Sequence, residues 1–146
     1  MKCYRKKLAG VTLLEILLVL AIAAMIIIMS IRYYQSATQS EQANVAMEEI
    51  QAIAAAADNL ALGAGSYSTT VSTNAISNVV GSANMITPNG QDITITSVTA
   101  TSYGVKMPLG TTVCASVDAK LAGNSKITGA SCDSTGTLTY TYDNTK

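Results

Sequence analysis

The sequence predicts an α+β protein: a long N-terminal α-helix packed by its C-terminal half on an antiparallel sheet of about four strands. Two observations carry this expectation. No Gly or Pro interrupts Val11 to Leu62, so one helix can run through the whole segment. Beyond Thr87-Pro88-Asn89-Gly90, a turn by composition, the apolar spacing changes from three and four to two, which is the alternation of half-buried strands.

The first half of the helix is apolar on every side. Val11 to Ile31, VTLLEILLVLAIAAMIIIMSI, holds one ionisable group, Glu15. As a helix it spans about 31 Å at roughly 1.5 Å per residue, the hydrocarbon thickness of a bilayer. A carboxylate one turn into such a span costs on the order of 2.5 to 3.5 kcal/mol at mid-membrane and less near the interface, so it calls for a partner or a function. Before the span stand Lys2, Arg5, Lys6 and Lys7 with no acid among the first ten residues, a bias that places the N-terminus in the cytoplasm and exports the rest. A cleaved secretory signal does not fit, because the apolar run is too long and no A-x-A-like site closes it; a plain uncleaved anchor is the simpler alternative.

Gly10-Val11-Thr12-Leu13-Leu14-Glu15, after a short basic stretch and before a sustained apolar run, resembles the class III leader junction of type IV pilins. The resemblance covers about the first thirty residues. It implies that a prepilin peptidase, which is also a methyltransferase, cuts after Gly10 on the cytoplasmic side. Residues 1–10 are then a leader, Val11 becomes the first mature residue, and Glu15 the fifth. It further implies that the Glu15 carboxylate of an incoming subunit pairs with the N-terminal amine on Val11 of a subunit already in a fibre, setting axial register. The alternative for Glu15 is a carboxyl that snorkels to the headgroups. The ten-residue leader and a first mature residue other than Phe resemble the type IVb branch, and Arg32 stands where the type IVa pattern has a Pro.

Polar residues and the pair Tyr33-Tyr34 then mark emergence from lipid. Over residues 32–62, the expected spine of a head, Ala43, Met47, Ile50, Ile53, Ala54, Ala57, Leu60 and Ala61 form a stripe for burial, while Glu41, Gln42, Glu48, Glu49, Gln51 and Asp58 take other faces. Gly63 and Gly65 close the helix. Residues 63–146 form the globular head. Asn74 to Gly81 is expected as a short helix, and Asp92–Val98, Tyr103–Met107, Thr111–Val117 and Thr137–Tyr142 as strands. Ile93, Ile95, Val105 and Val113 are expected on the sheet's apolar face, and Asp133 to Gly136 as the last turn. Cys114 and Cys132 lie in the exported part, where a disulfide is permitted; in pilins such a bridge commonly closes a C-terminal loop. Two buried free thiols are the alternative, and Cys3 falls in the leader.

The function implied is a structural pilin subunit of an extracellular type IV pilus used in adhesion, aggregation, motility or mating; the alternative is a minor pilin or pseudopilin of a type II secretion or DNA-uptake machine. The partners implied are further copies of the chain, the peptidase, an inner-membrane assembly platform with its ATPase, and the bacterial inner membrane before assembly. From Val11 onward five basic residues stand against nine acidic, and Lys106, Lys120, Lys126 and Lys146 make no basic stripe, so no nucleic acid is expected. With no His and with Asp118, Asp133 and Asp143 scattered, no metal or other cofactor is expected, and no catalytic motif points to an enzyme.

Overall fold

The structure, a computed structural model, describes residues 12–145. It is α+β: a long helix, α1 (Leu13–Ala64), packs on a four-stranded antiparallel sheet. Along the chain follow α2 (Thr73–Val80), a 3₁₀ turn (Ser82–Met85), β1 (Thr94–Thr96), β2 (Ser102–Pro108), α3 (Thr111–Leu121), β3 (Ile127–Cys132) and β4 (Thr137–Asp143). The strand order is β1-β2-β4-β3, with every pair antiparallel. Two compact units divide the chain, residues 1–37 and 38–146, and α1 contributes to both.

In the second unit, α1 buries Ala43, Ala46, Ile50, Ile53, Ala56 and Ala57. Four of these six are alanines, small enough to let the helix backbone sit close to the sheet, while Ile50 and Ile53 each contribute roughly 1.5–3 kcal/mol by leaving water. Facing them, β2 presents Tyr103, Val105 and Met107 and β4 presents Leu138, Tyr140 and Tyr142, all buried, while Lys106 and Thr139 alternate outward. With no Phe or Trp in the chain, tyrosine fills the large core positions. The Tyr103 ring packs edge-on to Tyr67 at 5.4 Å and stacks on Tyr142 at 5.2 Å, pairs worth about 0.5–1.5 kcal/mol each beyond their area.

The helix runs through Gly63 and is closed by Gly65 alone, whose φ of 73° is the left-handed conformation of a C-cap and whose N–H reaches the Ala61 carbonyl at 2.7 Å. The short helix α2 starts at Ser72, whose Oγ accepts from the Ala75 N–H at 3.1 Å.

The sheet departs from expectation in three places. Thr111–Val117 is not a strand but the first two turns of α3. Its buried residues Val113, Cys114, Val117 and Leu121 fall on one helical face, and that spacing outweighs the strand preference of Thr and Val. Val113 therefore meets the core from a helix and not from the sheet. The strand that fills the missing place is β3, ITGASC, hidden in the sequence by Gly129 at φ 65° and by a register shift between Thr128 and Ser131. Finally, Asp92–Val98 narrows to Thr94–Thr96. Ser97 takes φ 50°, which no strand can hold, and Ile93, though buried, gives its N–H to the Met85 carbonyl at 2.8 Å. Both sheet edges are thus short or bulged, and the Ile95 N–H on β1 is taken by Thr73 Oγ1 at 3.0 Å, which discourages edge-to-edge pairing.

The turn before β4 is held by backbone contact. Gly136 has φ 80°, and a Cβ there would sit 2.2 Å from Gly110 C and Thr111 N at the corner that starts α3. Gly136→Ala is expected to cost roughly 3 kcal/mol or more, since neither backbone can yield cheaply. Urea unfolding of the detergent-solubilised chain measures it, and an unchanged midpoint would contradict this account of the corner.

Candidate functional site

The N-terminal end of α1 carries the ionisable residue that the apolar helix must accommodate. Thr12 and Glu15 close on each other. The Thr12 N–H donates to Glu15 Oε2 at 3.0 Å, the Thr12 hydroxyl lies 3.2 Å from the same oxygen, and the Glu15 N–H reaches Thr12 Oγ1 at 3.3 Å. This is a capping box, Thr-x-x-Glu, in which each side chain satisfies a backbone N–H that the helix leaves open. The carboxylate also sits at the positive end of the helix dipole. Its signature was present in the sequence as Thr12 and Glu15 three residues apart, but reading Glu15 as an assembly residue masks it.

Around this acid the surface is apolar. Ile16, Val19 and Leu20 form with Glu15 a shallow depression of about 200 Å³. From Leu13 through Ile31 the large apolar side chains all stand exposed, and an 18-residue window within α1 reaches a mean hydropathy of 2.8 with none of it buried. By length and composition this helix can cross a membrane. The one hydroxyl inside the run, Ser30 Oγ, is spent on the Ile26 carbonyl at 2.8 Å, so it adds no unmet donor. Gly10 and Val11, the expected processing residues, lie outside the described residues.

In the other unit, Cys114 on α3 and Cys132 at the end of β3 are at disulfide-bonding distance, with Cα atoms 6.0 Å apart. The bridge ties α3 to an edge strand and contributes on the order of 3 kcal/mol by restricting the unfolded chain.

Two acids expected on outward faces are not there. Asp58 is half-buried and accepts the Tyr67 hydroxyl at Oδ1 (2.5 Å) and the Tyr142 hydroxyl at Oδ2 (3.1 Å). Burial first, and this carboxylate second, push the Tyr67 phenol above its ordinary range; burial also raises Tyr142, so both remain neutral donors. Glu49 is half-buried too. Its Oε2 has no hydrogen-bond partner among the described residues, and burial raises its pKa from the ordinary 4.5 to about 7. Both lie next to the buried stripe in helical spacing, Asp58 following Ala57 and Glu49 preceding Ile50, and Tyr67 and Tyr142 reach over Asp58. Of the three scattered aspartates, Asp133 is a turn residue: it accepts from the Thr135 hydroxyl and N–H and from the Thr137 N–H, bonds that hold its carboxyl below the usual range.

Against known proteins, the chain matches no family model, no curated protein and no solved structure. What its own residues offer is an uncovered apolar helix bearing one oriented carboxylate, on a chain whose other unit is a disulfide-tied head.

Glu49 predicts a pH dependence of stability. Its proton is held more tightly in the folded state than in the unfolded one, so its contribution is fully present below pH 4.5 and is lost as pH rises through about 7. Partial solvation screens the effect, so the direction is the prediction and not the size. Comparing urea midpoints of wild type and Glu49→Gln below pH 4.5 and above pH 7, the variant should gain relative to wild type as pH rises; a constant difference would contradict the burial of this carboxyl.

Proposed function

We propose that the chain is a structural subunit of a type IV pilus-like fibre, made as a membrane-inserted precursor, trimmed after Gly10, and polymerised through α1 into a filament on the cell surface. The observation that carries this is the junction Gly10-Val11-Thr12-Leu13-Leu14-Glu15 leading straight into an apolar helix whose side chains the rest of the described chain leaves uncovered. The α+β architecture, with its long helix on a four-stranded sheet, agrees with the pilin fold that the junction implies.

The mechanism follows from what each group costs in lipid. Before assembly, lipid tails cover Leu13 to Ile31; in a fibre, the same residues of other copies do so, with little change in apolar contact. Apolar contact of that kind is non-directional and leaves the axial position open. The charge supplies register. A new amine on Val11 and the carboxylate of Glu15 are each costly alone in an apolar core, and only one relative placement of two subunits brings them together. The capping box holds Glu15 at the helix end, where such an amine would meet it. The peptidase, the assembly platform with its ATPase, and the inner membrane are the partners this reading requires.

Intact-mass measurement of the chain from its native host should give a polypeptide beginning at Val11; one beginning at Met1, or cut within or after the apolar run, would end this reading. Glu15→Ala is expected to leave membrane insertion unchanged and to reduce surface fibres by roughly tenfold or more, the effect of losing about 1.4 kcal/mol at each junction. Wild-type piliation in that variant would remove the role assigned to the carboxylate.

A further inference from the structure

A cavity of about 540 Å³ opens in the head at the C-terminal end of α1. Among the described residues, Asp58 is the one charged group on its wall. Each carboxylate oxygen carries two acceptor positions, and the tyrosine hydroxyls of Tyr67 and Tyr142 fill one on each. The two phenols thus fix the carboxylate's orientation and leave acceptor capacity open, and no cation pairs with Asp58 among the described residues. Ala61, Leu62 and Ala100 line the cavity with apolar surface, while Thr101 and Asn144 add polar groups. An apolar wall leading to an oriented anion matches an aliphatic stem ending in an ammonium group.

The head itself holds such a group. Lys120 donates to Asn44 Oδ1 at 2.6 Å, and Lys126 donates to Asn144 Oδ1 at 3.3 Å while lying 5.8 Å from the centre of the Tyr142 ring, so both are engaged. Lys106 is exposed and has no side-chain partner among the described residues. It alternates on β2 with Tyr103, Val105 and Met107, which are buried toward α1, so it stands on the opposite face of the sheet from the helix that carries Asp58. Its own Asp58 is therefore out of reach. An anion on one face and a cation on the other can meet only between different copies, and such a contact is head-to-tail, the type that propagates an open filament instead of closing a dimer.

We propose that the Asp58 cavity receives the Lys106 side chain of a second copy of this chain, forming a head-to-tail contact between successive heads along the fibre in addition to the α1 core. The inference rests on the fibre reading above and adds to it a specific charged contact between heads. Both groups lie in the unit formed by residues 38–146, so the contact does not depend on the apolar half of α1. Lys126 is itself engaged with Asn144 on the cavity wall, so an incoming ammonium group meets one nearby cation as well as the Asp58 carboxylate.

Zero-length carbodiimide coupling tests this on purified filaments, because it joins a carboxylate to an amine only where the two touch. With filaments assembled from a mixture of ¹⁵N-labelled and unlabelled subunits, mass spectrometry should find an Asp58–Lys106 cross-linked peptide containing one heavy and one light half. Lys106→Arg, whose guanidinium does not couple, should abolish that peptide while filaments persist. Lys106→Gln is expected to lower the salt concentration at which filaments dissociate; unlike a change at Asp58, it leaves the tyrosine hydrogen bonds of the core untouched. Filaments that cross-link elsewhere but never at Asp58, or only within one chain, would overturn this contact and leave the fibre reading standing. Absence of any filament from the processed wild-type chain, seen by electron microscopy before coupling, would overturn both.

Discussion

A helix that is apolar on all sides has no stable place in water, and that constraint governs the rest of this chain. From Leu13 to Ile31 nothing in the described residues covers the side chains, although burying them would be worth roughly 1.5–3 kcal/mol for each large one. By length and composition the helix can cross a membrane, where lipid would cover them. It has no internal Gly or Pro to leave backbone groups open, and its one hydroxyl past the cap is bonded internally. The same helix then changes role within one continuous backbone. Beyond Thr38 its alanine-rich stripe is small and flat where the earlier segment is bulky, and it packs against a sheet where the earlier segment stays bare.

The head meets a different constraint, which is size. A unit of this length that has no Phe or Trp must gain stability from close packing, and it does so in two ways. Tyrosines Tyr67, Tyr103 and Tyr142 stack through the core, and two of them spend their hydroxyls on Asp58, so polar ends that would be costly inside are paired. Tyr103 is the exception: its hydroxyl is buried with no partner among the described residues, a cost accepted to place a large ring between the other two. The second device is the link from α3 to the edge strand β3 through Cys114 and Cys132, which holds down the element with the weakest strand pattern.

The parts of this fold that were legible in the sequence are those where local preference and tertiary environment agree. The run from Val11 to Leu62 has helix formers and no breaker, with a periodic stripe in its second half, and α1 follows it closely. TLTYTY alternates strictly, and β4 is a strand. Where the two disagree, the reading failed. Thr111–Val117 alternates on paper, yet its apolar residues also fit a helical face once Leu121 is counted, and the chain uses that face. In β3, Gly129 and Ala130 carry no strand preference, and the pairing comes from β4. Asp58 looked like solvent-facing charge because its partners, Tyr67 and Tyr142, are 9 and 84 residues away in sequence and only the fold brings them to it. At the helix start the Thr-x-x-Glu spacing of a capping box stands in the sequence at Thr12 and Glu15, and the fold closes its hydrogen bonds.

The capping role of Glu15 is compatible with the assembly role proposed for it, because its two oxygens are used unequally. Both hydrogen bonds from Thr12 converge on Oε2, and the described residues take nothing at Oε1. A carboxylate used in this way keeps half of its acceptor capacity while its charge is already partly compensated by an N–H, a hydroxyl and the helix dipole. Carrying it in an apolar environment therefore costs less than carrying a bare one, and on the proposed fibre reading the cost that remains is what an incoming amine would relieve. Were the compensation complete, no partner would be drawn; were there none, the helix would resist entering lipid at all. An acid held by its own first turn lies between these limits, and on the fibre reading proposed above that balance would let one residue enter a membrane and still select its neighbour.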